Sequence, residues 1–249
     1  MATAADHTAA LLTAKHAGRL RPDLRAGLGP SEPEVLRREG DRRSHELIVS
    51  ELSAMFPGDA ILSEEGVDNS DRIRSDRVWV VDPLDGTREF GEGRADFAVH
   101  VALVEAGVPV VGAVALPARG VLLGTASPPE LPSPSGSLRF VVSRTRPSPV
   151  VGALVGRLGA ELVEMGSAGA KAMAVVLGEA EVYAHAGGQY EWDSAAPVAV
   201  ASAAGLHTSR LEGDALEYNR ADPWLPDLLI CRPEWTQTVI DGLAKGPPV

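Results

Sequence analysis

Residues 78–93 read VWVVDPLDGTREFGEG. The run at 78–81 is apolar and rich in β-branched and aromatic side chains, which predicts a buried strand. Asp82 follows, then Pro83, whose missing N–H cannot extend a ladder, so the strand is expected to stop there. Asp82 and Asp85 then flank a forced turn, and Gly86 and Thr87 lie just behind it. Backbone amides exposed at such a turn cradle anions. The stretch reads as a metal-carboxylate corner beside a phosphate seat. Its plainer alternative is a hairpin turn, because Asp-Gly between apolar runs is a strong turn signal.

Working outward, other acids sit at the ends of expected elements. AILSEE at 60–65 reads as a short strand running into Glu64 and Glu65. Asp193, in YEWDSAAP, is expected to cap a helix of small residues, with Pro197 tolerable only in its first turn. Asp41 falls in or just before a helix expected over 34–56. If these acids converge they repel one another, and a divalent cation relieves the repulsion. Oxygen ligands without His or Cys point to Mg²⁺ rather than zinc, and paired metals are a recurrent solution for phosphate-ester hydrolysis. Taken singly, Glu64 and Glu65 read as solvated loop charges and Asp193 as a simple cap.

The remaining chain predicts helices on an antiparallel sheet, then an α/β part. A helix is expected over 3–20, followed by a Pro/Gly-rich loop at 22–33, and the segment 67–77 reads as loop or short helix. Short links join strands at 97–104, 108–116 and 120–126, which suggests a meander. The Pro/Ser-rich segment at 127–137 marks a boundary between an N-terminal domain, 1–130, and a C-terminal domain, 137–249. The second part is read as strands at 138–143, 181–186 and 227–232, a strand-turn at 161–169, and helices at 148–158, 171–177 and 233–243. With 249 residues, 45% hydrophobic, the chain has ample material for a core. A net charge of −11 argues against nucleic-acid or anionic-membrane partners. Cys231 is the only cysteine, so no disulfide forms within the chain, and the cytoplasm is the expected compartment. The N-terminus lacks the pattern of a secretory signal, and the most apolar region, 97–116, is too interrupted for a membrane span.

SEE at 63–65, DPLDGT at 82–87 and WD-SAAP at 192–197 together resemble the inositol-monophosphatase-like superfamily of lithium-sensitive, magnesium-dependent phosphatases. Arg88-Glu89-Phe90, SRT at 143–145 and GSAGAK at 166–171 look like its 3′-phosphoadenosine-5′-phosphate phosphatase (CysQ-type) branch. The chain departs from the family where LRREG precedes Asp41, and GSAGAK is one residue longer than usual. The resemblance implies an αβαβα sandwich, an α/β layered fold. It implies two or three Mg²⁺ ions: Glu64, Asp82 and the Leu84 carbonyl at one, Asp82, Asp85 and Asp193 at a second, and Glu65 supporting a third. Gly86 and Thr87 would offer amides to the substrate phosphate, and Thr87 with Asp41 would orient and deprotonate water. Ser143, Arg144, Gly166, Ser167 and Lys171 are the implied further substrate contacts. The expected reaction is hydrolysis of a small phosphate ester, 3′-phosphoadenosine 5′-phosphate first and its phosphosulfate analogue second, by a monomer or homodimer. Inositol 1-phosphate and fructose 1,6-bisphosphate are the rival substrates. A non-catalytic nucleotide- or metal-binding scaffold is the rival of another class.

Overall fold

The computed structural model describes residues 1–28, 33–134 and 136–245. Residues 60–124 supply a five-stranded sheet: β1 (Ala60–Ser63), β2 (Arg77–Asp85), β3 (Ala98–Glu105), β4 (Val108–Leu116) and β5 (Val121–Gly124), in that spatial order. β3 to β5 form the expected antiparallel meander, β2 adds to it antiparallel to β3, and β1 lies parallel to β2. A second five-stranded sheet holds β6 (Arg139–Ser143), β7 (Glu161–Met165), β8 (Val182–Tyr190), β9 (His207–Ser209) and β10 (Trp224–Cys231), ordered β7-β6-β8-β10-β9.

Strand alternation sorts most of the interior into three cores, beside a small fourth cluster of Leu36, Leu84, Phe90 and Phe97. Trp79 and Val81 point to one face of β2 and pack with Val99, Val101 and Leu103 against α1 (Ala4–Leu28) and α2 (Pro33–Met55). Val78 and Val80 point to the other face, against α5 (Ala168–Val176) and α6 (Glu191–Ala203), which also meet Val141, Tyr183, Leu228 and Ile230 of the second sheet. α4 (Pro149–Leu158) and α7 (Thr236–Ala244) cover that sheet's outer face through Leu154, Val239 and Leu243. The result is a five-layer αβαβα sandwich. A one-residue slip of β2 would exchange the residues facing its two cores. The small residues of α6 have a matching cause: a Cβ on Gly112 of β4 would lie 2.7 Å from both the Ala196 carbonyl oxygen and the Ala199 Cβ.

Four local expectations are corrected. The first helix runs to Leu28, past Pro22, because a Leu/Arg/Ala run of good helix formers carries it on; positions 29–32 of the expected loop lie outside the described residues. β2 passes through Pro83 to Asp85, because the register shifts between Asp82 and Asp85 and a bulge tolerates proline. The Asp-Gly pair is therefore no hairpin: Gly86 (φ 83°) precedes the short helix α3 (Thr87–Gly91). Asp193 is the third residue of α6 rather than its cap, because β8 runs straight into the helix and leaves the Tyr190 N–H to be satisfied. α5 begins three residues earlier than expected, at Ala168, where the Ser167 hydroxyl accepts the Ala170 N–H at 2.9 Å. Among the described residues no helix is long and apolar enough to cross a membrane.

Candidate active site

The end of β2 and the start of α6 meet. Asp82, Asp85 and Asp193 each present an oxygen within 4.8 Å of the others, across 108 residues between Asp85 and Asp193. Asp82 is 1% exposed, and its Oδ1 accepts the Leu84 N–H at 2.9 Å, which shapes the bulge around Pro83. Glu64 stands at the rim, its N–H bonded to the Val81 carbonyl through the parallel β1–β2 pairing. Burial, then the charges of Glu64, Asp85, Asp193 and Asp41, holds the Asp82 carboxyl well above the carboxylate range. Burial first and the Asp193 charge second push Glu64 up to about 7, while a hydrogen bond shared with Asp82 opposes them. Asp193 is raised to about 6 by burial and by Asp85. So dense a set of oxygen donors is poorly served by protons and well served by a divalent cation. The residues present therefore fit Mg²⁺.

Asp85 differs from its neighbours. Burial would raise it, yet His100, Lys171 and Ser167 together bring it down to about 2. Its carboxylate accepts the Ser167 hydroxyl and the N–H groups of Ala168 (3.1 Å) and Gly169 (2.6 Å), and His100 Nε2 stands 3.3 Å away. His100 Nδ1 lies 3.0 Å from the Trp192 carbonyl oxygen, so one imidazole spans β2 and α6. A Cβ on Gly169 would fall 2.0 Å from His100 Nε2, which accounts for glycine there. The turn before α5 is held further by Asp96, which accepts the Gly166 N–H at 2.7 Å.

These groups open on a cleft of about 790 Å³. Glu64, Asp82, Leu84, Asp85, Gly86, Thr87, Ser143, Gly166, Ser167, Lys171 and Asp193 all line it; Asp41, Glu65 and Arg144 do not. Asp41 is 9% exposed on α2, close enough for its charge to act on Asp82, and Glu65 is exposed beside Glu64. Arg144 pairs with Glu89 of α3 (2.7 Å) and with Glu92 just after it (2.6 Å), joining the two sheets' loops. Lys171 is 5% exposed, donates to the Ser167 carbonyl at 2.6 Å and lies 5.3 Å from the Tyr183 ring centroid; burial lowers its pKa.

Sequence reasoning missed the aromatic side of the cleft. Four of the chain's seven tyrosines and tryptophans line it: Tyr183, Tyr190, Trp192 and Trp224. Tyr190 and Trp192 stack with centroids 4.7 Å apart, and Trp224 lies on Gly188, where a Cβ would come within 2.6 Å of its ring nitrogen. Gln189, 7% exposed, has neither amide atom hydrogen-bonded to a described residue. His100 was also missed; its only signal is a lone histidine in the apolar run at 97–104.

A five-layer αβαβα fold with a carboxylate cluster at a strand-to-helix corner defines a magnesium-dependent phosphatase. The chain belongs to the inositol monophosphatase family, which it matches over residues 4–128 and 137–240. It is 48% identical over 243 residues to the 3′-phosphoadenosine 5′-phosphate phosphatase of Mycobacterium bovis, covering 92% of this chain and 90% of that one. The 3′(2′),5′-bisphosphate nucleotidase CysQ of Escherichia coli K12 is 32% identical over 198 residues, 74% of this chain and 80% of its own. The crystal structure of CysQ from Bacteroides thetaiotaomicron superposes with a TM-score of 0.79 at 27% identity, over 91% of this chain and 97% of that one.

Proposed function

We propose that this phosphatase hydrolyses 3′-phosphoadenosine 5′-phosphate to AMP and phosphate. The observation that carries this substrate is the aromatic lining of the cleft: aromatic side chains, and a buried amide with no partner among the described residues, share the cleft with the carboxylates and suit a purine nucleoside. An inositol or a hexose ring would gain only C–H contacts from such surfaces, where a flat purine gains face-to-face stacking. The similar proteins from M. bovis and E. coli support the same choice by their names.

Glu64, Asp82 and the Leu84 carbonyl would hold one Mg²⁺, Asp82, Asp85 and Asp193 a second, and Glu65 the waters of a third. Bound metal supplies charge neutralisation for the phosphoryl oxygens and for the departing 3′ oxygen. The chain's own groups do the rest. Gly86 and Thr87 amides take the phosphate's peripheral oxygens. The Thr87 hydroxyl orients a water for in-line attack, and Asp41 accepts its proton. The phosphorus–O3′ bond breaks as the water oxygen bonds to phosphorus, and the 3′ oxygen leaves with the ester's electron pair and takes up a proton from solvent. His100 and Ser167 keep Asp85 ionised and oriented throughout.

Specificity constants for 3′-phosphoadenosine 5′-phosphate, inositol 1-phosphate and fructose 1,6-bisphosphate, measured with Mg²⁺ and after chelation, test the reading. The adenosine bisphosphate should be the best of the three, and turnover should vanish without metal. A preference for either sugar phosphate would overturn it.

A further inference from the structure

A substrate with two phosphates brings a second dianion into a cleft whose other end is crowded with carboxylates, on a protein of net charge −11. Some fixed cation has to face it. Among the described residues, the cleft is lined by three cationic side chains: Arg88, Arg146 and Lys171. Lys171 is buried, and its ammonium already donates to two backbone carbonyls, those of Ser167 and, at 3.4 Å, Gly166. Arg88 adjoins Thr87, at the end where the reacting phosphate sits. Arg144, the more obvious arginine of the same loop, is turned away into its pairs with Glu89 and Glu92.

Arg146 is left. It is exposed, makes no ion pair with a described residue, and acts electrostatically on Lys171, Tyr183 and His185, three side chains that line the same cleft. Its backbone is held in place. The Arg146 N–H donates to the Ser143 hydroxyl at 3.2 Å, and the Arg144 N–H donates to the Met165 carbonyl at 3.1 Å. The ion pairs of Arg144 pin the same loop from the other side. Ser143 and Arg144 thus build a platform from which the next arginine, two residues on, projects over the cleft. A guanidinium presents paired N–H donors that match two phosphate oxygens, and holding its backbone in advance reduces the entropy lost on binding.

Resting on the nucleotide reading above, we propose that Arg146 binds the second, non-reacting phosphate and so sets the preference for bisphosphorylated over monophosphorylated nucleosides. It is a specificity residue: it touches substrate away from the bond that breaks, so it contributes to binding and little to the chemical step.

The test compares 3′-phosphoadenosine 5′-phosphate with 3′-AMP, which keeps the base and the scissile ester and lacks only the 5′-phosphate. It uses the full chain with saturating Mg²⁺, as wild type, Arg146→Ala and Arg146→Lys. In Arg146→Ala, KM for the bisphosphate should rise about 10- to 100-fold, the range for one charge-assisted contact to phosphate. Its kcat should stay within a few-fold, and KM for 3′-AMP should hardly move. Lysine should restore part of the loss. Inhibition by AMP should weaken in parallel, while inhibition by adenosine should not. Equal effects on both substrates, no effect on either, or a selective loss in Arg88→Ala and not in Arg146→Ala would each overturn the assignment. A wild type that favours the bisphosphate while Arg146→Ala retains the full preference sinks this inference alone. A wild type that prefers inositol 1-phosphate sinks the nucleotide reading and this inference with it.

Discussion

Replacing Asp193 with Asn should make the metal-free protein more stable at pH 8 while weakening its response to Mg²⁺. Burial, followed by the charge of Asp85, moves the Asp193 carboxyl from 3.8 to about 6. A rise of about two pKa units corresponds to about 3 kcal/mol of penalty on the ionised form. That penalty is absent below the unfolded value near 4 and complete above the folded value near 6, so wild-type stability declines as pH rises through that window. Asn carries no charge and escapes it. Against the gain stands the 2.6 Å bond from the Tyr190 N–H, which an Asn oxygen still accepts but with about 1 kcal/mol less strength. The net is about 1–2 kcal/mol, roughly 2–8 °C in Tm for a chain of this size. Thermal unfolding in chelator at pH 5 and pH 8 reads it directly: the variant's advantage should be present at pH 8 and shrink at pH 5. Added Mg²⁺ should raise the wild-type Tm at pH 8 clearly more than the variant's, because a ligand stabilises the state that binds it and the variant lacks one ligand of one site. A variant less stable than wild type in chelator at pH 8, or one that gains as much Tm from Mg²⁺, would show that Asp193 is not a crowded metal ligand.

Two further substitutions probe the supports of the site. Asp85→Asn should abolish turnover and also cost about 2–4 kcal/mol in urea unfolding, since the new amide N–H₂ faces the Ser167, Ala168 and Gly169 donors; an unchanged urea midpoint would mean that these donors do not depend on the carboxylate. Gly169→Ala should lose about 1–3 kcal/mol and most activity, because its methyl would drive His100 off Asp85; a stable, fully active variant would mean that His100 does not hold the carboxylate.

The fold class and the location of the chemistry were legible because they rest on short-range signals. The apolar run before Asp82 is a strand on hydrophobic grounds alone, and the acids of 63–65, 82–85 and 193 stand at element ends that Pro, Gly and small-residue runs mark out. The expected strand stop at Pro83 and cap at Asp193 missed by a few residues, because whether a bulge or a strand-to-helix junction absorbs a local preference depends on the neighbouring strand. What the linear order could not disclose is which charge meets which. Arg144 reads as a substrate contact until Glu89, 55 residues away, is seen to hold it, and Arg146, two positions on, faces the cleft instead. His100 looks like core until Asp85 and the Trp192 carbonyl lie on either side of its ring. Periodicity and turn chemistry are set by neighbours along the chain. Ion pairing and burial are set by neighbours in space, and only the packing of the two sheets around α5 and α6 chooses those.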